Sequence, residues 1–145
     1  MVEVIRQGAI CKVPEQLGEK NMSGLKICIV EDEDFVRESV VQLLNMKGYN
    51  HILEASRGQE AIAMIEKEKP DIVFLDIRLA DNINGIEVLK KSRGISPNTK
   101  FVMMSAYQDE FGKQTKELGA YGFLKKPITK VDSFINIIKE ISDKK

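Results

Sequence analysis

Five short apolar segments, each followed by a segment of helical periodicity, limit most strongly how this chain can fold. The apolar segments are residues 25–30, 51–55, 72–75, 101–105 and 121–125. Their length and their β-branched and aromatic residues predict β-strands, and the spacing of apolar residues in the intervening segments predicts helices. The helices are expected at residues 34–47, 58–68, about 85–91, 109–118 and, from the stripe of Val131, Phe134, Ile135, Ile138 and Ile141, in the last segment.

This alternation predicts an α/β fold in which parallel strands are joined by right-handed crossovers and helices cover both faces of the sheet. The strands are almost continuously apolar, as expected for a sheet that is buried on both sides. A chain of 145 residues is long enough for one such doubly wound domain.

Charge and composition exclude several classes of function. The chain has 22 Lys and Arg and 22 Asp and Glu, so its net charge is zero, which argues against direct binding to nucleic acid or to an anionic membrane. No apolar run is as long as a membrane span, and the N-terminus lacks the pattern of a signal peptide, so we expect a cytoplasmic protein. Cys11 and Cys28 lack the spacing of a zinc site or disulfide framework, and Cys28 is expected to be a small buried hydrophobe.

Residues 1–24 stand outside the five-fold pattern. The stretch VEVIRQGAICKV could form a strand or a hairpin, and Met22 is a plausible alternative start just before the first strand. We therefore divide the chain into an N-terminal extension of unknown role, residues 1–24, and one domain, residues 25–145.

Polar side chains follow four of the five predicted strands at their carboxyl ends. Glu31 and Asp32 follow the first strand, Asp76 the third, Ser105 ends the fourth, and Lys126 follows the fifth. In a doubly wound sheet these ends meet at one edge, where ligands bind. A carboxylate that ends a buried apolar strand, as Asp76 does, costs free energy unless a partner compensates it. Complementary side chains from four strands at one edge therefore predict a reactive site.

The chemistry of this set favours a hard divalent cation. Three crowded carboxylates repel one another, and oxygen ligands with room for water suit Mg²⁺ rather than zinc. Beside such a cation, a carboxylate can attack a phosphoryl group, with Lys126 neutralising charge and Ser105 donating a hydrogen bond. The sequence thus predicts phosphoryl transfer to one of the acids.

The motifs IVEDE, FLDIRL, MMSAY and FLKKPI, in this order and at these intervals, resemble the receiver domain of two-component response regulators. The resemblance covers Leu25 to about Ser142, and it implies a flavodoxin-like (βα)5 fold with a five-stranded parallel sheet in the order 2-1-3-4-5. It also implies a signalling switch that catalyses its own phosphorylation and dephosphorylation.

The resemblance implies a role for each of these residues. Asp76 would accept a phosphoryl group from a phosphohistidine, and Glu31 and Asp32 would position Mg²⁺ together with the backbone carbonyl of Arg78. The remaining assignments are Ser105 as the switch hydroxyl, Lys126 as the lysine of the family, Phe123 as the aromatic switch residue, and a cis bond between Lys126 and Pro127.

Two positions depart from the family pattern. Glu31 stands where the family more often has aspartate, so metal is expected to approach through water or in a shifted geometry. In the loop LADNING, Ala80 replaces the usual proline and the loop is one residue longer than typical, which leaves its path open.

The expected partners are a sensor histidine kinase or a histidine phosphotransfer protein, and a downstream protein. No output domain follows the last predicted helix, so a stand-alone receiver is expected, which binds a partner or passes its phosphoryl group on. The stretches FVMMSAYQDE and TKELGA, together with Arg78, favour the relay type. Arg78 and Tyr107 are expected to shield the acyl phosphate from water.

Two other functions remain as alternatives. A phosphorylation-independent pseudo-receiver would have no chemical need for Asp76, Asp32, Ser105 and Lys126 together. A flavodoxin-like hydrolase or electron carrier would need a phosphate-binding glycine loop, whereas EDED follows the first strand. His51, the single histidine, begins a predicted strand and is expected to be a structural or surface residue rather than a phosphocarrier.

Overall fold

The computed structural model describes residues 2–6, 9–13, 24–79 and 83–143. The strands are β1 (Val2–Arg6), β2 (Ala9–Val13), β3 (Lys26–Val30), β4 (His51–Ala55), β5 (Ile72–Asp76), β6 (Lys100–Ser105) and β7 (Gly122–Lys125). The helices are α1 (Asp34–Met46), α2 (Gly58–Glu68), α3 (Gly85–Ile95), α4 (Gln108–Glu117) and α5 (Asp132–Asp143).

Five of the strands form one parallel sheet in the order β4-β3-β5-β6-β7. Numbered from β3, this is the order 2-1-3-4-5, so the predicted fold is confirmed. The register pairs Val30 with both Ala55 and Leu75, and Ser105 with Lys125. The carboxyl ends of the strands therefore lie side by side along one edge of the sheet, here called the C-terminal edge.

Each face of the sheet is covered by its own apolar core. One core packs α1 and α5 against the sheet and includes Leu44, Phe74 and Phe134; the rings of Phe74 and Phe134 meet edge to face at 5.0 Å between centroids. The other core lies beneath α2 and α3 and includes Ile65 and Leu89. All five residues of β5 are buried, as the apolar sequence of this central strand predicts.

The N-terminal stretch forms a hairpin, in which β1 and β2 pair antiparallel from Val2 with Val13 to Arg6 with Ala9. It makes a two-stranded sheet of its own. One of the two alternatives expected for this stretch is thus observed, while the domain boundary after residue 24 stays a prediction.

Helix α3 is longer than expected, because it ends at Ile95 rather than near residue 91. Ser92 is fully buried and takes a core-facing position that a search for apolar residues overlooks. The helix begins at an ordinary cap, where the side-chain oxygen of Asn84 accepts a hydrogen bond from the Glu87 N–H at 3.0 Å. Ala80 and the two residues after it lie outside the described residues, so the expected extra residue in this loop stays a prediction.

Cys28 is buried in the core beneath α2 and α3, as expected of a small hydrophobe. Burial, and in second place the charge of Glu60, raise the pKa of its thiol to about 12. The thiol therefore stays protonated and unreactive at neutral pH. None of the helices in the described ranges has both the length and the apolar character of a membrane span.

Candidate functional site

The C-terminal edge of the sheet brings together side chains from four strands that are distant in sequence. The ammonium of Lys126, which follows β7, donates hydrogen bonds to Asp76 Oδ2 at 2.8 Å and to Glu31 Oε1 at 2.5 Å. The Lys126 N–H donates to the carbonyl of Ser105 at 2.9 Å, which fixes β7 beside the end of β6. The Lys126–Pro127 peptide bond is cis, as the sequence resemblance implies.

Asp76 ends the buried strand β5 and is only 5% exposed. Its carboxylate is compensated on both oxygens, because Oδ2 accepts from Lys126 and Oδ1 accepts from the Arg78 N–H at 3.1 Å. These two contacts supply the partners that a carboxylate at this depth requires. They also hold the Asp76 carboxylate in one orientation.

Within the part of the chain that the structure describes, three carboxylates share the site. Oxygens of Glu31, Asp32 and Asp76 lie within 4.8 Å of one another. Burial raises the pKa of Glu31, the hydrogen bond from Lys126 lowers it, the neighbouring Asp76 raises it, and the net shift is upward. Burial, followed by the hydrogen bond and the charge of Glu31, raises the pKa of Asp32. The folded protein thus resists accumulating three negative charges here.

This donor set fits a magnesium ion. It consists of carboxylate oxygens from the ends of two neighbouring strands, and burial, together with the neighbouring carboxylates, raises the pKa values of Glu31 and Asp32. Hard oxygen ligands with space for water are what Mg²⁺ requires. Asp32 is half-buried, so one side of the cluster faces solvent.

Lys126 is the counter-charge to these acids. Partial burial works to lower the pKa of its ammonium, but the hydrogen bonds and charges of Asp76 and Glu31 raise the pKa overall. The residue therefore stays fully charged at neutral pH. It can neutralise one excess negative charge on a group attached to Asp76.

Ser105 and the Arg78–Tyr107 pair lie at and just after the ends of β5 and β6, next to Asp76 in the sheet. Ser105 is buried, and its hydroxyl oxygen accepts from the Tyr107 N–H at 3.0 Å. The guanidinium of Arg78 lies over the ring of Tyr107, with its Cζ atom 4.5 Å from the ring centroid. This contact is a cation–π interaction, and it links the loop after β5 to the loop after β6.

Phe123 lies in a different environment from the other predicted residues. It is half-buried and packs against the core beneath α2 and α3. It also lines a cavity of about 340 Å³ between α4 and β7, together with Gly112, Thr115, Lys116 and Tyr121. The structure therefore places Phe123 beside the cavity rather than in the acid cluster. His51 is exposed at the start of β4, the opposite end of that strand from the site.

Arg37 is a residue that the sequence analysis missed. Its guanidinium donates to the backbone carbonyl of Glu31 at 2.8 Å, to Asp34 at 2.7 Å and to Glu54 at 3.2 Å. The side chain is 12% exposed although it belongs to a charged surface helix. It fixes the chain where it leaves β3. An arginine one turn into the helix after an acidic strand end is the signal that could have indicated it.

Replacing Asp32 by asparagine should stabilise the metal-free protein. The change removes one of the three like charges, and two such charges at this distance repel by about 1 kcal/mol even in water. We expect the free energy of unfolding, measured with urea in the presence of EDTA, to rise by about that amount. Magnesium should stabilise the wild type more than the variant.

The matched control is Glu33→Gln, because Glu33 is an exposed acid next to the site. This variant should leave both the stability and the magnesium response unchanged. A loss of stability in Asp32→Asn, or equal stabilisation of wild type and variant by magnesium, would contradict the description of the acid cluster.

Comparison with known proteins gives a consistent result. A family model described as the response regulator receiver domain matches residues 27–139. Sporulation initiation phosphotransferase F of Bacillus subtilis is 32% identical over 82% of this chain and 94% of its own length. Chemotaxis protein CheY of Thermotoga maritima is 34% identical over 72% of this chain and 87% of its own length. The receiver domain of NtrX from Brucella abortus superposes with a TM-score of 0.75 at 29% identity, over 83% of this chain and all of that domain.

Proposed function

The chain belongs to the family of response regulator receiver domains, and on that premise we propose that Asp76 accepts a phosphoryl group from a phosphohistidine, with Mg²⁺ bound beside it. The observation that carries the proposal is the shared ammonium of Lys126, which lies 2.8 Å from Asp76 and 2.5 Å from Glu31 within a buried acid cluster. A carboxylate held in this way is positioned as a nucleophile and has a fixed positive charge beside it.

The side chains of the site divide the work of the transfer. An oxygen of Asp76 forms a bond to phosphorus while the bond from phosphorus to the donor imidazole nitrogen breaks, and the electron pair of that bond returns to the imidazole. Lys126 neutralises charge on the transferred group, and the Ser105 hydroxyl can donate a hydrogen bond to it. Asp32, Asp76 and the Arg78 carbonyl form the proposed metal site directly, and Glu31 takes part in it through water. Bound Mg²⁺ would supply electrostatic stabilisation of the phosphoryl oxygens.

Phosphorylation is proposed to act as a switch. A phosphoryl group on Asp76 would draw the Ser105 hydroxyl toward it, and Phe123 would turn inward from its place beside the cavity, shifting an existing equilibrium between two conformations. The surface formed by α4, β7 and α5 would then change. That surface is where we propose that a downstream protein binds.

The phosphodonor is proposed to be a sensor histidine kinase or a histidine phosphotransfer protein. Two of the relatives have names that point to different outputs, since one is called a phosphotransferase and the other a chemotaxis protein. The stacked Arg78 and Tyr107 favour a relay, because a long-lived acyl phosphate can be handed on to a second protein.

The proposal is tested by phosphorylation from acetyl phosphate. Intact-mass spectrometry should show the mass of one added phosphoryl group in the presence of Mg²⁺ and none in EDTA. A protein that acts only as a binding module, the pseudo-receiver alternative, would gain no mass in either condition, and that result would refute the proposal.

Removing the stacked pair should shorten the lifetime of the phosphorylated protein. The double substitution Arg78→Ala and Tyr107→Ala removes the two large side chains that are proposed to shield the acyl phosphate on Asp76, so water should reach it more easily and the half-life should fall severalfold. Loss of the added mass with time, after the donor has been removed, measures this. Arg93→Ala is the control, because Arg93 is an exposed arginine near the far end of α3, and it should leave the half-life unchanged. An unchanged or longer half-life in the double variant would contradict shielding.

A further inference from the structure

The contacts of Glu31 separate its role from that of Asp32. Both oxygens of the Glu31 carboxylate are engaged, because Oε1 accepts from Lys126 at 2.5 Å and Oε2 accepts from the Glu33 N–H at 3.3 Å. The side chain is only 2% exposed, whereas Asp32 is half-buried. Of these two adjacent acids, the one that is turned toward the interior is therefore the one that holds the lysine.

The main chain of Glu31 is fixed as firmly as its side chain. The Glu31 N–H donates to the Ala55 carbonyl on β4 at 3.0 Å, and the Glu31 carbonyl accepts from Arg37 at 2.8 Å. Four hydrogen bonds, two to the backbone and two to the carboxylate, thus anchor this residue between β4, α1 and Lys126. Such an anchor can orient the flexible lysine side chain. Ordering a lysine costs conformational entropy, and a fixed hydrogen-bond partner can offset that cost.

We infer that Glu31 is a positioning residue, which aims the Lys126 ammonium at Asp76 through the extra methylene that glutamate has over aspartate. An aspartate at this position would carry the same charge on a shorter side chain, which would draw the carboxylate away from the ammonium. With Glu31 in this role, magnesium in the wild-type protein would be held chiefly by Asp32 and Asp76. This inference rests on the proposed phosphoryl transfer and assigns one residue a role within it.

The test compares Glu31→Asp with Glu38→Asp, the same substitution at an exposed position of α1. With acetyl phosphate and Mg²⁺ both saturating, the initial rate of phosphorylation should fall about tenfold in Glu31→Asp, the usual scale for a residue that orients a reacting group. It should not change in Glu38→Asp. The dissociation constant for Mg²⁺, measured by calorimetry on unphosphorylated protein, should be unchanged in both variants.

Two further measurements show whether the effect acts through Lys126. In metal-free protein, NMR should show faster hydrogen exchange of the Lys126 ammonium in Glu31→Asp than in wild type, with Lys126→Met used to assign the signal. In a Lys126→Met background, Glu31→Asp should reduce the rate no further, because two residues that act as one unit are not additive.

Three results would overturn the inference. They are Mg²⁺ binding weakened about tenfold in Glu31→Asp, the same tenfold loss of rate from Glu31→Asp in the Lys126→Met background, or ammonium exchange in Glu31→Asp equal to that of wild type. Failure of the proposed function looks different. In that case the wild type itself gains no phosphoryl group, while the exchange measurement still reports on the contact between Glu31 and Lys126.

Discussion

Replacing Asp76 by asparagine is expected to reduce phosphorylation from acetyl phosphate to background. The amide keeps the size of the side chain and an oxygen that can accept from the Arg78 N–H, which bonds Oδ1 in the wild type. It loses the negative charge and the second carboxylate oxygen, so the site keeps its shape but has no nucleophile. Intact-mass spectrometry after incubation with acetyl phosphate and Mg²⁺ measures the result.

The control for this substitution is Asp143→Asn, at the exposed end of α5. It should gain the same mass as wild type under the same conditions. Circular dichroism should show that Asp76→Asn is folded, since the change also removes one charge from a crowded acid cluster. Retention of the label by folded Asp76→Asn would place the acceptor elsewhere and refute the assignment.

Lys126→Met is expected to slow phosphorylation about a hundredfold, the usual cost of removing one group that stabilises charge in a transition state. Methionine has a similar length without the ammonium, so the change deletes the charge that lies 2.8 Å from Asp76 with little change in volume. The initial rate at saturating acetyl phosphate and Mg²⁺ is the measurement. Lys125→Met is the matched control, because Lys125 is the adjacent residue and is exposed.

The affinity of Lys126→Met for magnesium should not decrease. Without the ammonium, Asp76 and Glu31 lack a counter-charge, so a cation is attracted more strongly and the dissociation constant for Mg²⁺ should fall or stay the same. A slower reaction with equal or tighter metal binding would identify Lys126 as a group that acts on the transferred phosphoryl group. Unchanged rates in Lys126→Met, or weaker metal binding, would contradict that role.

The fold could be predicted from the sequence because its central strands are buried on both faces. The runs LKICIV, DIVFL and FVMMS have no periodicity that suits a half-exposed strand, and the segments after them have clear helical spacing. The polar residues at the ends of these strands could be predicted to meet, because parallel strands end at the same edge. The structure brings Glu31, Asp76 and Lys126 together there.

Other features depend on contacts that no local pattern encodes. From its sequence, Arg37 resembles an ordinary surface residue of α1. Its partners Glu31, just after β3, Asp34 in α1 and Glu54 in β4 show that it fixes the chain at Glu31. Similarly, the sequence alone does not distinguish the roles of the adjacent acids Glu31 and Asp32. They differ because successive side chains of an extended chain point in opposite directions, so at the end of β3 Glu31 is turned inward and Asp32 outward.

The length of α3 shows a limit of a different kind. Its last turns, KKSRGI, contain one apolar residue, so the hydrophobic spacing that predicts the first turns ends near Lys91. The helix continues because Ser92 is small enough to pack inside and because backbone hydrogen bonding persists to the Ser96 N–H, which donates to the Ser92 carbonyl at 2.8 Å. Packing of a small polar residue is a tertiary effect and is invisible to a search for apolar periodicity.

The most direct test of the central claim is to locate the acyl phosphate by chemical reduction. Borohydride converts a phosphorylated aspartate, but not a free one, to homoserine, which peptide mass spectrometry identifies at its position in the sequence. After incubation with acetyl phosphate, homoserine should appear at position 76 in the presence of Mg²⁺ and at no position in EDTA. Homoserine at position 32, a stable phosphate on Ser105, or an unmodified Asp76 in magnesium would contradict the account.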